Sequence, residues 1–205
     1  SMYRREGVPA GCAFFAVSGE KGAGETMKLY VTRHGETTWN AANKVCGRTD
    51  VDLTEKGREQ ARALGEKLRR EGVKIDRIVA SPLKRAVETA QLIAGQIGEP
   101  PLSVDERLIE QEYGVYEGKD RKDPGFLANK RQFAFRYPGG ESMMQLAHRL
   151  YSLLEELREG DPEETVLLVC HNGVCRVLNT YFRDVTNEEF FHYELPNCGL
   201  EEYWL

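Results

Sequence analysis

The sequence predicts an α/β protein: a three-layer α/β/α arrangement around a mostly parallel sheet with an antiparallel edge. Three observations predict it. From Met27 onward, strand-like and helix-like segments alternate, the pattern of a sheet covered on both faces. Two continuous apolar runs, Lys28-Leu29-Tyr30-Val31-Thr32 and Thr165-Val166-Leu167-Leu168-Val169-Cys170, read as fully buried central strands. Near the end, segments 191–195 and 200–204 read as two strands of an antiparallel edge, joined at Asn197-Cys198-Gly199.

The intervening elements follow in order. Thr54 caps a helix with Glu55 in its first turn, Ala61, Leu64 and Leu68 on one face, and Gly72 as its stop. Residues 76–80 form the next strand. Ser81-Pro82 predicts a helix start, with Ser as cap and Pro at the first helical position, running through Ala86, Ala90 and Ile93 towards Gly98. Residues 105–140 are irregular and polar-aromatic, which predicts a loop or small cap insertion. A long helix from about Glu141 carries Leu146, Leu150, Leu153, Leu154 and Leu157 at helical spacing. Another follows the 165–170 strand, over 174–182.

Composition narrows the class. The 205 residues suit a single domain, 40% hydrophobic and 30% charged. A net charge of −5 argues against a nucleic-acid surface, so any phosphate site is a local pocket of Arg and His in an acidic protein. The five cysteines (Cys12, Cys46, Cys170, Cys175, Cys198) show no metal spacing. Cys170 and Cys175 read as buried thiols, and a reducing, cytoplasmic setting is expected. No apolar run approaches the roughly 18 residues of a membrane helix, so no membrane partner is expected. Residues 1–26 differ from the rest. Ser1 before Met2 resembles a tag-removal scar, and glycines and Pro9 make the segment loop-like. Residues 12–17 after Arg4-Arg5 imitate a signal peptide only faintly. Met27 opens directly onto the first core strand and is expected to be the natural start, with 1–26 a mis-called extension of a domain spanning 27–205.

The candidate chemistry sits at strand ends. The first apolar run delivers Arg33-His34 into Gly35-Glu36-Thr37, and the later one delivers His171 into Asn172-Gly173. Open α/β sheets place their ligands at such ends. Arg85 lies at the start of the helix after Ser81-Pro82, where free N–H groups favour an anion. Two strand-end histidines with two arginines predict an enzyme acting on an anion. His148, in an amphipathic helix, and His192, in a terminal strand, read as structural or exposed.

Five blocks carry a resemblance: Arg33-His34-Gly35-Glu36-Thr37; Trp39-Asn40; Gly47-Arg48-Thr49-Asp50-Val51-Asp52-Leu53-Thr54 with Gly57; Ser81-Pro82-Leu83 with Arg85-Ala86 and Thr89-Ala90; and Val169-Cys170-His171-Asn172-Gly173. Together they resemble the histidine phosphatase superfamily, in its phosphoglycerate mutase-like branch, over essentially all of residues 27–205. The resemblance implies that His34 is the nucleophile that becomes phosphohistidine. It implies that Arg33, Arg85 and His171 clamp the phosphoryl oxygens. Asn40, Thr37, Cys46, Gly47, Tyr113 and Asn172 are implied at the substrate. Charge spread over the transferring phosphoryl group needs fixed cationic donors, and Arg grips phosphate bidentately. In Glu110-Gln111-Glu112-Tyr113-Gly114 the resemblance sets Glu110 in the general-acid position, while Glu112 and Glu117 fit a solvated acidic loop.

The resemblance implies a small phosphoester substrate and neither a cofactor nor a metal. Arginines 33 and 85 would be repelled by a dication. Residues 119–140 form only a short insertion ending in Gly139-Gly140-Glu141-Ser142, which resembles the phosphatase branch more than the mutases. Arg121, Lys130, Arg131 and Arg136 are candidates for a second anionic group of the substrate, and Phe126, Phe133, Phe135 and Tyr137 for an apolar one, a cap packed on its own aromatics being the alternative. A phosphoglycerate mutase or a non-catalytic phosphate-binding module are the rival functions. Oligomeric state, a homodimer included, stays open.

Overall fold

The computed structural model describes residues 27–205; the expectations for residues 1–26 lie outside the described residues. In chain order the elements are β1 (Lys28–Arg33), α1 (Thr38–Ala41), α2 (Glu55–Arg70), β2 (Arg77–Ala80), α3 (Lys84–Ala94), β3 (Leu102–Val104), α4 (Pro124–Lys130), α5 (Met143–Arg158), β4 (Thr165–Cys170), α6 (Asn172–Phe182), α7 (Asn187–His192) and β5 (Leu200–Trp204). Two 3-10 turns, Glu106–Leu108 and Gly114–Tyr116, precede α4.

The strands form one sheet in the order β3-β2-β4-β1-β5, parallel except for the β1–β5 pair. Every residue of β1 and β4 after the first is buried, as continuous apolar runs require of strands covered on both faces. Alternation then divides the core. Leu29, Val31, Val166 and Leu168 face Leu146, Leu150 and Leu154 of α5 and Val174 and Leu178 of α6. Tyr30, Leu167 and Val169 face Ala61, Leu64 and Leu68 of α2 and Ala86, Ala90 and Ile93 of α3. This is the predicted α/β/α sandwich with an antiparallel edge.

Local signals fare unevenly. Thr54 caps α2 through the Gly57 N–H, and Gly72, at φ +69°, follows its end. Ser142 and Gln145 form the capping box that starts α5. Three expectations are corrected. Ser81 does not cap α3, whose cap is Leu83; the Ser81 N–H is held by Val169 O at 2.9 Å, and its hydroxyl accepts the Leu83 N–H at 3.4 Å while sharing a 2.7 Å hydrogen bond with His171. The expected 191–195 strand is absent. A capping box of Thr186 and Glu189 starts α7 there instead, leaving β5 alone to pair with β1 and placing His192 at a helix end. The three-residue β3 was not predicted; it pairs only with β2 and is too short to carry a periodic signal. Residues 105–140 are largely irregular, but Asp123 and Pro124 start α4, and Val45, Tyr113, Phe126 and Tyr137 form a small core of their own.

Candidate active site

The sheet register assembles the site. Arg33 of β1 stands opposite Cys170 of β4, so the next residue of each strand is a histidine at the same carboxyl edge. The His34 N–H continues the ladder to Cys170 O at 2.9 Å, and the two imidazole centroids lie 5.2 Å apart. Both rings are buried, as is Ser81 at the end of β2.

His34 Nδ1 lies 2.7 Å from Gly35 O. A carbonyl only accepts, so Nδ1 carries the hydrogen and Nε2 keeps its lone pair. The Gly35 backbone is itself fixed: its N–H donates to Thr89 Oγ1 at 3.1 Å, and a Cβ on Gly35 would collide with the Gly57 backbone. Burial, then the Arg85 and Arg33 charges, hold the His34 pKa well below its usual range. The same happens to His171, through burial, Arg85 and His34. His171 Nε2 shares a 2.7 Å hydrogen bond with Ser81 Oγ, leaving Nδ1 without a protein partner.

Arg33 and Arg85 are buried and, among the described residues, neither is ion-paired. Arg33 Nη1 donates to Leu195 O at 2.9 Å. Arg85 donates to Gly47 O at 2.5 Å and Thr49 O at 2.8 Å. Nε of each has no partner. Buried guanidinium groups compensated only by carbonyls are the expected receptors of an anion.

Glu110 is 4% exposed and accepts N–H groups from Gln111 at 2.8 Å and Gly173 at 3.1 Å. Burial outweighs those bonds and the Arg85 charge, and its pKa is raised above the carboxylate norm. Gly173 is required here, since a Cβ would stand 2.5 Å from Glu110 Oε1. Glu112 is half-exposed and pairs with Arg48 at 3.4 Å. Glu117 is not the solvated group expected: it accepts from Gly47 N at 2.6 Å and from Thr49 Oγ1 at 2.5 Å.

One cavity is lined by Arg33, His34, Asn40, Cys46, Glu110, Tyr113 and Asn172 of the sequence-predicted set. Arg85, His171 and Gly47 are buried and are not among the lining residues. Thr37 lies off it, fully buried, with its hydroxyl capping α1 in a box with Asn40. Asn40 Oδ1 also receives Asn197, which donates to His34 O as well. Lys44, Arg121, Phe126, Lys130 and Arg176 complete the lining. Of these, Lys44 and Arg176 escaped the sequence reading, as did Ser81's bond to His171. Arg176 carried a usable signal, the one charge in α6, and it is 2% exposed with an unpartnered Nε. Arg131 instead pairs with Glu188, Arg136 is exposed, Phe133 packs on Phe190, and Phe135 is exposed. Among the described residues no three His, Cys, Asp or Glu side chains converge on a common point, and no helix is long and apolar enough to cross a membrane.

A buried neutral histidine, a buried acid and unpaired arginines at the carboxyl edge of a parallel sheet define an enzyme acting on an anionic ester. The model of the histidine phosphatase superfamily (branch 1) matches residues 29–203. Phosphoglycerate mutase-like protein 4 of Arabidopsis thaliana is 35% identical over 159 residues, 74% of this chain and 69% of that one. The 2,3-bisphosphoglycerate-dependent phosphoglycerate mutase of Methylobacterium sp. (strain 4-46) is 34% identical over 171 residues, 78% of this chain and 82% of that one. The solved mycobacterial glucosyl-3-phosphoglycerate phosphatase in complex with VO3 superposes with a TM-score of 0.74 at 29% identity, covering 85% of this chain and 90% of that one. The chain belongs to the histidine phosphatase superfamily, branch 1.

Proposed function

We propose that this protein is a phosphomonoesterase that transfers the phosphoryl group of a small phosphorylated metabolite to His34 Nε2 and then to water. The observation that carries it is the His34–Glu110 pair. The two groups face one cavity, and burial pushes their pKa values in opposite directions, the imidazole down and the carboxyl up. A neutral base-like nucleophile and a protonated acid at the same pH are what transfer to histidine requires.

In the first step the His34 Nε2 lone pair forms the N–P bond as the ester P–O bond breaks, and the Glu110 proton passes to the leaving oxygen. In the second, the Glu110 carboxylate takes a proton from water, whose oxygen forms the new P–O bond as N–P breaks. Arg33, Arg85 and His171 hold the phosphoryl oxygens; the unpartnered Nε atoms and His171 Nδ1 support that role. Asn40, Cys46, Tyr113 and Asn172 shape the wall, while Thr37 and Gly47 act through backbone placement.

The segment 105–140 serves as the cap that selects substrate. It brings Arg121, Phe126 and Lys130 to the cavity, where Lys44 and Arg176 add charge. Five cations and one carboxylate on the lining support a substrate with a second anionic group. A mutase is the second reading, favoured by the Arabidopsis and Methylobacterium relatives. The deciding experiment measures release of inorganic phosphate from aryl phosphate and a phosphometabolite panel, alongside a monophosphoglycerate mutase assay primed with bisphosphoglycerate. Phosphate release exceeding isomerisation supports the phosphatase; dominant isomerisation overturns it in favour of the mutase.

A further inference from the structure

Arg85 is the most enclosed cation of the site, with no exposed surface, and its charge reaches His34, His171 and Glu110 alike. Among the described residues no carboxylate holds it. Two carbonyls do, Gly47 O and Thr49 O, both on the 47–49 turn, which belongs to no helix or strand. A guanidinium aimed by a loop is only as well placed as that loop.

What fixes the loop is Glu117. One carboxylate oxygen accepts the Gly47 N–H at 2.6 Å and the other the Thr49 hydroxyl at 2.5 Å. The same two residues that hold Arg85 are thus gripped from the other side by charge-assisted hydrogen bonds, the strong kind. Gly47 admits this approach; a Cβ there would run into the Glu117 carboxylate and stand 2.6 Å from Gln111 O. The neighbouring backbone is stitched likewise, Val45 N to Lys119 O at 2.8 Å and Gly118 N to Val45 O at 2.9 Å.

We propose that Glu117 is a positioning residue for phosphoryl transfer: it holds the 47–49 turn, whose two carbonyls aim the Arg85 guanidinium at the phosphoryl oxygens. The inference rests on the assignment of Arg85 as a phosphoryl clamp. It also ties the cap segment, where Glu117 resides, to the turn that holds the clamp.

A double-mutant cycle separates action through Arg85 from general support. Glu117→Ala is made in the native chain and in Arg85→Ala, and each protein is read by kcat on an aryl phosphate and by affinity for orthovanadate. In the native background kcat falls about tenfold or more, as for a misplaced transition-state donor, and vanadate affinity falls with it. In the Arg85→Ala background the same change alters both readings by less than about twofold. Equal losses in the two backgrounds, or native values in Glu117→Ala, overturn the proposal. If Glu117→Ala does not fold, Glu117→Gln, which keeps one carbonyl for Gly47 N–H, replaces it in the same cycle under the same criteria. Failure of the underlying assignment is distinct: Arg85→Ala alone would then leave kcat and vanadate affinity unchanged.

Discussion

Arg33 and Cys170 stand opposite one another in the parallel β1–β4 ladder, and this pairing brings the ring of His34 to 5.2 Å from that of His171, 137 residues further along the sequence. A slip of one residue would move every side chain of β1 to the wrong face and carry Tyr30 into the core of α5 and α6. The register that packs Leu29 and Val31 is therefore the register that builds the site.

His34→Ala removes the one imidazole that lines the cavity among the described residues, and hydrolysis of aryl phosphate is expected to fall by about 10³-fold or more. The fold should persist, because the ring's one hydrogen bond is to the adjacent Gly35 O. Steady-state kinetics beside circular dichroism check this. Native-like turnover in His34→Ala would remove phosphohistidine from the mechanism.

Glu110→Gln keeps the size of the side chain and loses the proton. An alkyl phosphate needs that proton on its leaving oxygen, whereas a nitrophenyl phosphate leaves as a stable anion. The expected loss is therefore at least about tenfold larger for the alkyl ester. The pH profile follows from the directions of the shifts. Glu110, raised above its usual 4.5, supplies its proton below its folded pKa, so alkyl phosphate hydrolysis declines as pH rises through it. His34, lowered below 6.5, stays neutral on the acid side and causes no loss near that value. Glu110→Gln should abolish the alkaline decline; an unchanged profile, or equal losses on both esters, argues against the acid role.

Much of this was legible because it is written locally. Continuous apolar runs marked β1 and β4, and Thr54 and Gly72 marked the ends of α2 through their own backbone chemistry. The failures share a cause. Ser81-Pro82 reads as a cap, yet α3 starts after Leu83, and the shorter of the two bonds of the Ser81 hydroxyl goes to an imidazole 90 residues on. Glu117 reads as solvated until a turn 70 residues earlier folds onto it. Segment 191–195 reads as a strand, while the Thr186–Glu189 box just before it starts a helix that takes in residues 191 and 192 and leaves 193–195 irregular. Residue types at strand ends were legible as a candidate anion site; the partners that hold them are long-range and carry no periodic signal.

Lys130 offers a second pH test. Burial, with Arg176 and Arg121 nearby, lowers its pKa to about 8, while its Nζ donates to Phe191 O at 2.7 Å. The ammonium is charged below about 8 and neutral above it. KM for a substrate bearing a carboxylate or second phosphate should therefore rise across that value, with aryl phosphate KM changing little. Lys130→Met should flatten the dependence. A KM for the dianionic substrate that stays level from pH 7 to 9 in the native protein would take Lys130 out of substrate recognition (the pH limits bracket the value of about 8).

Two glycine substitutions give opposite outcomes from the same added methyl. At Gly173 the new Cβ would lie 2.5 Å from Glu110 Oε1 and 2.8 Å from the Tyr113 hydroxyl, both buried. Gly173→Ala should cost about 1–3 kcal/mol through overpacking. It should also lower kcat more for alkyl than for aryl phosphate, because the displaced group is the proposed acid. At Gly95, the cap of α3 with φ −60°, the nearest atom is Gln91 O at 3.6 Å. Gly95→Ala should stabilise by about 0.4–1 kcal/mol through the unfolded chain, with turnover unchanged. Urea unfolding read beside the two kinetic assays tests both. A Gly173→Ala protein with native stability and native alkyl phosphate turnover would mean that Glu110 is not held where the Gly173 N–H now holds it.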